Sequence, residues 1–342
     1  MVAVQPGENV LGGEGKIALA GKKVIFLFPG QGAQYPGMGL DLAEGSAAAR
    51  DVFDRAGEAL GSSLGRDLIS LIRDSDAETL KRTDLSQPAL SAASLAAAAC
   101  LGERGVVPAA CAGFSLGEYP ALACAGVISL ENCFRLTAAR GRVMRAAADR
   151  LAAAGTGAPG MAAVLGLAPE RVESLIAQWK AGGLKDLYAA NINSPRQVVV
   201  SGTAAALAEA EKRFKEAGAR RMPRLQVTGP FHSPLMAEAA DEFAAVLETV
   251  EFKDPAIPLF SNVTGKQLRS GAEAKALAPR QMVEPVRWTD EESALAELKP
   301  AALVETGPGG VLRGLWKDTG SDIPCYAAGT AAEIDALTYL PG

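Results

Sequence analysis

One histidine, His232, occurs in this chain of 342 residues, so any chemistry that needs an imidazole has to use it. A serine hydroxyl attacks an acyl carbon only when a neighbouring base takes its proton. Histidine, titrating near pH ~6.5, suits that task. The serine best placed for it is Ser115, at the centre of Gly113-Phe114-Ser115-Leu116-Gly117. That spacing marks a sharp strand-to-helix turn whose glycines leave room for the backbone, and whose helix aims its first amides at a developing oxyanion. His232 lies in Gly229-Pro230-Phe231-His232-Ser233-Pro234, a loop stiffened by glycine and two prolines, where functional groups concentrate. Gly30-Gln31-Gly32 follows an apolar run and offers a second oxyanion amide. Each motif also has a plain reading: a strand–helix turn, a structural histidine, a simple turn.

The elements that would carry these groups can be read from apolar runs and turn residues. Residues 23–28 (KVIFLF) form a short buried strand running into the Gln31 turn, as α/β proteins do at ligand sites. Helices are expected over 43–60, over 89–101 after Leu85-Ser86-Gln87-Pro88, from Gly117 to about Ala125, and over 130–148. A strand at 106–112 leads into Ser115. The Gly/Pro-rich stretch 154–160 marks an internal boundary. Beyond it, 161–165, 169–178, 187–191, 197–201, 204–217 and 221–225 read as β-α-β-β-α-β, the ferredoxin-like order. Two later strands are expected at 258–262 and 302–305. The predicted class is therefore α/β. Residues 22–156 and 226–335 make an α/β-hydrolase-like large domain with a parallel sheet core, 157–225 an inserted ferredoxin-like subdomain, and 1–21 a loose leader.

Composition narrows the function. About half of the residues are apolar and 21% are charged, which suits a globular protein with a sizeable core. A net charge of −5 argues against a nucleic-acid binder. The apolar stretch 89–101 is too short for a membrane span, and no signal peptide is evident. The five cysteines form no CxxC pair and, with one histidine, match no familiar zinc site. They read as reduced thiols of a cytoplasmic protein.

Nine segments together resemble the malonyl-CoA:acyl carrier protein transacylases, relatives of the acyltransferase domains of fatty-acid and polyketide synthases. They are FPGQG (28–32), SQPAL (86–90), GFSLGEY (113–119), AARGRVM (138–144), NINSPRQVVVSG (191–202), GPFHSPLM (229–236), SNVTG (261–265), RQMVEPVRW (280–288) and ETGPGGVL (305–312). The resemblance covers roughly residues 23–320. It implies that Ser115 accepts the acyl group, that His232 is its base, and that the backbone carbonyl of Gln281 holds the histidine. It further implies an oxyanion hole at the amides of Gln31 and Leu116, and a clamp on the malonyl carboxylate at Arg140. Gln87 lines the pocket, Asn191 and Asn193 face the cleft from the small subdomain, and Phe231 matches the malonyl-type pattern. A guanidinium suits that clamp because it pairs two-point with a carboxylate. One departure is Phe114, where the family usually has histidine.

The implied cycle moves malonyl from malonyl-CoA to the phosphopantetheine thiol of acyl carrier protein through a malonyl-serine ester, supplying fatty-acid synthesis. It needs no metal or redox cofactor, no membrane and no nucleic acid, and a monomer suffices. An acidic carrier would need a basic patch, either Lys212, Arg213, Lys215, Arg220, Arg221 and Arg224 or Arg142, Arg145 and Arg150. A serine hydrolase or thioesterase would use the same nucleophile and base. A non-catalytic carrier-docking protein would need neither.

Overall fold

The computed structural model describes residues 17–154 and 157–338. In chain order its strands are β1 (Val24–Phe28), β2 (Pro108–Gly113), β3 (Gly160–Leu165), β4 (Leu187–Ser194), β5 (Gln197–Gly202), β6 (Phe260–Ser261), β7 (Lys266–Gln267), β8 (Ala302–Glu305) and β9 (Cys325–Ala327). Four of them form a parallel sheet in the order β2-β1-β8-β9, and Leu259 adds a parallel bridge to Cys111 on the outer side of β2. All five residues of β1 are buried. Val24, Phe26 and Phe28 enter one core and Ile25 and Leu27 another, as the period of two requires of a strand covered on both faces.

Helices Thr83–Glu103 and Leu130–Ala153 pack closely on one side. Gly141 permits that approach, because a Cβ there would lie 2.6 Å from the Thr83 carbonyl oxygen. The first of these helices starts six residues earlier than its expected position at 89 and contains Pro88. Proline removes one i→i−4 bond, but Ser86, Ser91 and Ser94 are buried and do not interrupt the helix. By length and hydropathy it is apolar enough to cross a membrane, yet 83% of that window is buried inside the fold.

The second sheet is antiparallel, in the order β3-β5-β4. With helices Pro169–Ala181 and Ala204–Glu216 it encloses its own core, including Val164, Val172, Leu187, Val198 and Phe214. The expected strand over 221–225 is reduced to isolated bridges, Leu165 with Arg221 and Ala162 with Arg224. Pro223 sits between them and has no amide to donate, although its carbonyl accepts from Ala163 at 2.9 Å. This unit joins the large sheet's region where Ile192 donates to Val286 O at 2.8 Å and Val286 to Ala190 O at 2.9 Å.

The leader expected over 1–21 is corrected at its end. Ile17 donates to Ala336 O at 2.8 Å, Leu19 donates to Leu337 O at 3.1 Å, and Leu19 is buried. Backbone hydrogen bonds and the buried Leu19 therefore tie 17–19 to the final helix, Ala331–Leu337. Residues 1–16, and the domain boundary expected at 156, lie outside the described residues.

Candidate active site

The turn after β2 is shaped by contacts that tolerate no side chain. A Cβ on Gly117 would lie 2.0 Å from Phe28 O, and one on Gly113 would lie 2.0 Å from Gly117 O. Ser115 has φ 52°, a left-handed conformation that costs a non-glycine residue about 1 kcal/mol or more. Asn262 holds it there. Its Oδ1 accepts from Ser115 N at 2.6 Å and its Nδ2 donates to Gly113 O at 2.7 Å. The turn after β1 presses on the same backbone, since a Cβ on Gly30 would meet Phe114 O at 2.5 Å. Gln31 and Leu116 thus border the serine from two sides, and the Gln31 side chain turns to Thr83 Oγ1 at 3.2 Å.

His232 is also left-handed, φ 57°, and buried. Its Nε2 lies 2.7 Å from Ser115 Oγ and its Nδ1 2.6 Å from Gln281 O. A carbonyl oxygen only accepts, so Nδ1 carries the hydrogen and Nε2 is left to receive the serine proton. Burial, and then the nearby Arg140 cation, push the histidine pKa down to about 3. The ring is neutral at physiological pH, the form a base must have.

Arg140 is fully buried. Its Nη1 donates to Gln87 Oε1 at 3.0 Å and its Nη2 to Gln281 Oε1 at 2.9 Å, with Nη2 3.4 Å from Ser115 Oγ. The guanidinium also stands over the Tyr119 ring, 5.5 Å from its centre. Gln87 Nε2 contacts Met144 Sδ at 3.4 Å. No acidic side chain forms an ion pair with Arg140 among the described residues. A buried cation with no acidic partner is free to pair with an anion placed beside the serine.

Other expected site residues are placed differently. Asn191 and Asn193 are buried on β4. Asn193 Nδ2 donates to Gln197 at 2.9 Å and its Oδ1 has no partner. No hydrogen bond joins either asparagine to Ser115, His232 or Arg140 among the described residues. The Phe231 ring is buried in the main core, and its carbonyl accepts from Ser201 Oγ. Phe114 packs edge-on against Trp288, ring centres 5.3 Å apart, and is not among the partners of Arg140.

Three polar residues that sequence reasoning gave no role complete the site: Glu118, Asn262 and Glu291. Each of the first two lay within a quoted motif, GFSLGEY and SNVTG, and position beside a glycine turn was the only signal. Glu291 accepts from Asn262 Nδ2 at 2.7 Å. Glu118 accepts from Gln281 Nε2 at 2.7 Å. No cluster of three or more His, Cys, Asp or Glu side chains is arranged to hold a metal ion among the described residues.

A serine at a strained strand–helix turn, a neutral imidazole on its hydroxyl and a parallel sheet beneath define a serine-nucleophile enzyme of the α/β class. The chain belongs to the acyl transferase domain family, which matches residues 25–340. It is 38% identical over 318 residues to the malonyl CoA-acyl carrier protein transacylase of Haemophilus influenzae, covering 92% of this chain and 98% of that one. The Bacillus subtilis protein of the same name is also 38% identical, over 92% and 95% of the two chains. An acyl carrier protein S-malonyltransferase structure from Vibrio cholerae superimposes with TM-score 0.84 at 38% identity, covering 92% and 99%. A malonyl-transacylase solved in complex with a type II PKS acyl-carrier protein gives TM-score 0.84 at 36% identity, again over 92% and 99%.

Proposed function

We propose that this chain transfers a malonyl group from malonyl-CoA to the phosphopantetheine thiol of an acyl carrier protein, by way of an ester on Ser115. The observation that carries the reading is Arg140, a buried guanidinium 3.4 Å from Ser115 Oγ, whose side-chain partners Gln87, Gln281, Ser115 and Tyr119 are all neutral. The Haemophilus and Bacillus relatives, each aligned over nearly its whole length, bear the name of this activity.

In the cycle, Ser115 Oγ attacks the thioester carbonyl as its proton passes to His232 Nε2. The oxygen that gains charge rests on the amides of Gln31 and Leu116, and Gln281 O steadies the imidazolium. Collapse breaks the carbon–sulfur bond, and the departing coenzyme A thiolate takes the proton from His232. The malonyl carboxylate meanwhile displaces the Gln87 and Gln281 oxygens from Arg140. The carrier thiol then gives its proton to His232, attacks the ester, and Ser115 recovers its hydrogen. A shared covalent intermediate makes the kinetics ping-pong. No step calls for a metal or redox cofactor.

The order β3-β5-β4, with the 221–224 segment on the free side of β3, supports a ferredoxin-like subdomain over 157–225 inserted between 22–156 and 226–335. Both halves of the site lie on one chain, so a monomer suffices. Five unpaired cysteines fit a reducing, cytoplasmic compartment. Of the two basic patches, Arg145 and Arg150 are taken up by Asp84, Asp149, Glu238 and Glu242. Lys215, Arg220, Arg221 and Arg224 make no ion pair among the described residues, which favours that face for an acidic carrier.

Product partition tests transfer against hydrolysis. Purified protein given malonyl-CoA and holo carrier protein is expected to yield malonyl-carrier. Free malonate as the main product would assign a thioesterase instead.

A further inference from the structure

Behind the serine turn lies a buried carboxyl that the transfer cycle does not use. Glu118 is three residues beyond Ser115 and 5% exposed. Its Oε2 accepts from Gln281 Nε2 at 2.7 Å and from Asn262 N at 3.2 Å. At the other end of the same amide, Gln281 Oε1 accepts from Arg140 Nη2 at 2.9 Å. One side chain therefore links carboxyl to guanidinium, with its donor end on the acid and its acceptor end on the cation. Turned over, it would set its NH2 against the guanidinium and its oxygen against the carboxylate, so the arrangement has one sense. The backbone carbonyl of this residue also holds His232 Nδ1.

The charged and titratable groups around Glu118 are few. They are Arg140 on helix Leu130–Ala153, Glu291 on helix Trp288–Glu297, Tyr119 beside it on its own helix, and His232. Burial holds the Glu291 carboxyl and the Tyr119 phenol protonated far above their ordinary ranges, and keeps His232 neutral. Arg140 is then the one cation of this group, and Glu118 the one member that can be negative. Burial raises its pKa to about 7, against the opposing pull of Gln281, Asn262 and Arg140.

We propose that Glu118 is a positioning residue that sets the anion affinity of the acyl pocket: acting through Gln281, it is the counter-charge that Arg140 keeps until a substrate carboxylate takes its place. This rests on the transfer reading above. With Glu118 ionised, the pocket is nearly balanced when empty, and an arriving carboxylate has to compete for the cation. The same negative charge relieves the field of Arg140 on His232, which has to become an imidazolium during each transfer.

Glu118→Gln keeps the shape and an acceptor oxygen while removing the charge. It is expected to lower KM for malonyl-CoA by on the order of tenfold at about pH 8 and to lower kcat as well, while KM for acetyl-CoA stays unchanged. A merely structural role would not tighten the binding of an anion. Calorimetry with monomethyl malonate, whose single carboxylate stays ionised, reads the pocket without catalysis. The variant should bind it more tightly at about pH 8, and the gap should close near pH 6, where wild-type Glu118 is itself protonated. Equal affinities at about pH 8, or a parallel fall for malonyl- and acetyl-CoA, would overturn the proposal. If the variant does not fold, wild type decides: its affinity must weaken from about pH 6 to about pH 8, and a flat profile overturns the idea. Wild type that binds the probe but is never acylated by malonyl-CoA would sink the transfer reading and leave this one standing. No probe binding by wild type would overturn both.

Discussion

Replacing Arg140 by alanine removes the one cation within hydrogen-bond reach of Ser115 among the described residues, and the structure sets the size of the effect. Its guanidinium now spends two hydrogen bonds on the neutral oxygens of Gln87 and Gln281. A malonyl carboxylate would bring a second charge to both bonds, which have only the arginine's charge now, and would strengthen each by about 0.5–2 kcal/mol. The net preference for a carboxylate-bearing acyl group is then about 1–4 kcal/mol, or roughly 5- to 1,000-fold. An acetyl group leaves the arginine on its amides and forfeits only that gain. Arg140→Ala should therefore cost malonyl-CoA most of this factor in kcat/KM. Acetyl-CoA should lose little, because removing the cation also relieves His232, whose pKa Arg140 helps to depress. The assay is competition between the two thioesters at equal concentration, with the acyl-serine peptide quantified by mass spectrometry. A malonyl-to-acetyl ratio within about threefold of wild type would refute the reasoning, since no exchange of neutral for charged acceptors on Arg140 would then have occurred.

Two further expectations concern the scaffold. Gly117→Ala would drive a Cβ to 2.0 Å from Phe28 O; denaturant unfolding should show a loss of about 3 kcal/mol or more, together with slower acylation of Ser115. Glu292 is buried, accepts from Trp288 Nε1 at 2.9 Å, has an unpartnered Oε2, and has its pKa pushed up to about 8 by burial. The native state therefore holds this proton more tightly than the unfolded chain, and its stabilising share, full below pH ~4.5, is lost as pH rises through about 8. Glu292→Gln should then be the more stable protein at about pH 9, by on the order of 2–4 kcal/mol, and the gain should vanish near pH 4; thermal melts across that range check the sign.

The chemistry of the site was more legible than its support. Ser115, His232, Gln281, Arg140 and Gln87 sit in segments whose glycines, prolines and order along the chain carry a readable pattern, and the fold brings all five together. Glu118, Asn262 and Glu291 come from separate elements, and only tertiary packing puts them behind the serine. No local period or spacing announces a buried carboxyl. Helix Thr83–Glu103 begins before the expected position 89, an expectation set by Leu85-Ser86-Gln87-Pro88, which looks like an entry to a helix. Packing against Gly141 and the buried core overrides that local signal. The strand expected over 221–225 failed for the opposite reason, since Pro223 breaks the ladder whatever the flanking apolar residues prefer. Phe114 stands where the family usually has histidine. Its ring packs on Trp288, a contact that depends on a helix far along the chain. Residues 17–19, Ile-Ala-Leu, are apolar but too short a run to announce a packed segment, and their partner lies at the other end of the sequence.

The central claim is that Ser115 carries a malonyl group between two thiols. Protein incubated with a mixed pool of acyl-CoAs, then digested and weighed, is expected to hold one malonyl group on the Ser115 peptide. That label should disappear into malonyl-carrier when holo carrier protein is added. Label on another residue, equal labelling of Ser115→Ala, or an acyl-serine dominated by acetyl would contradict the account.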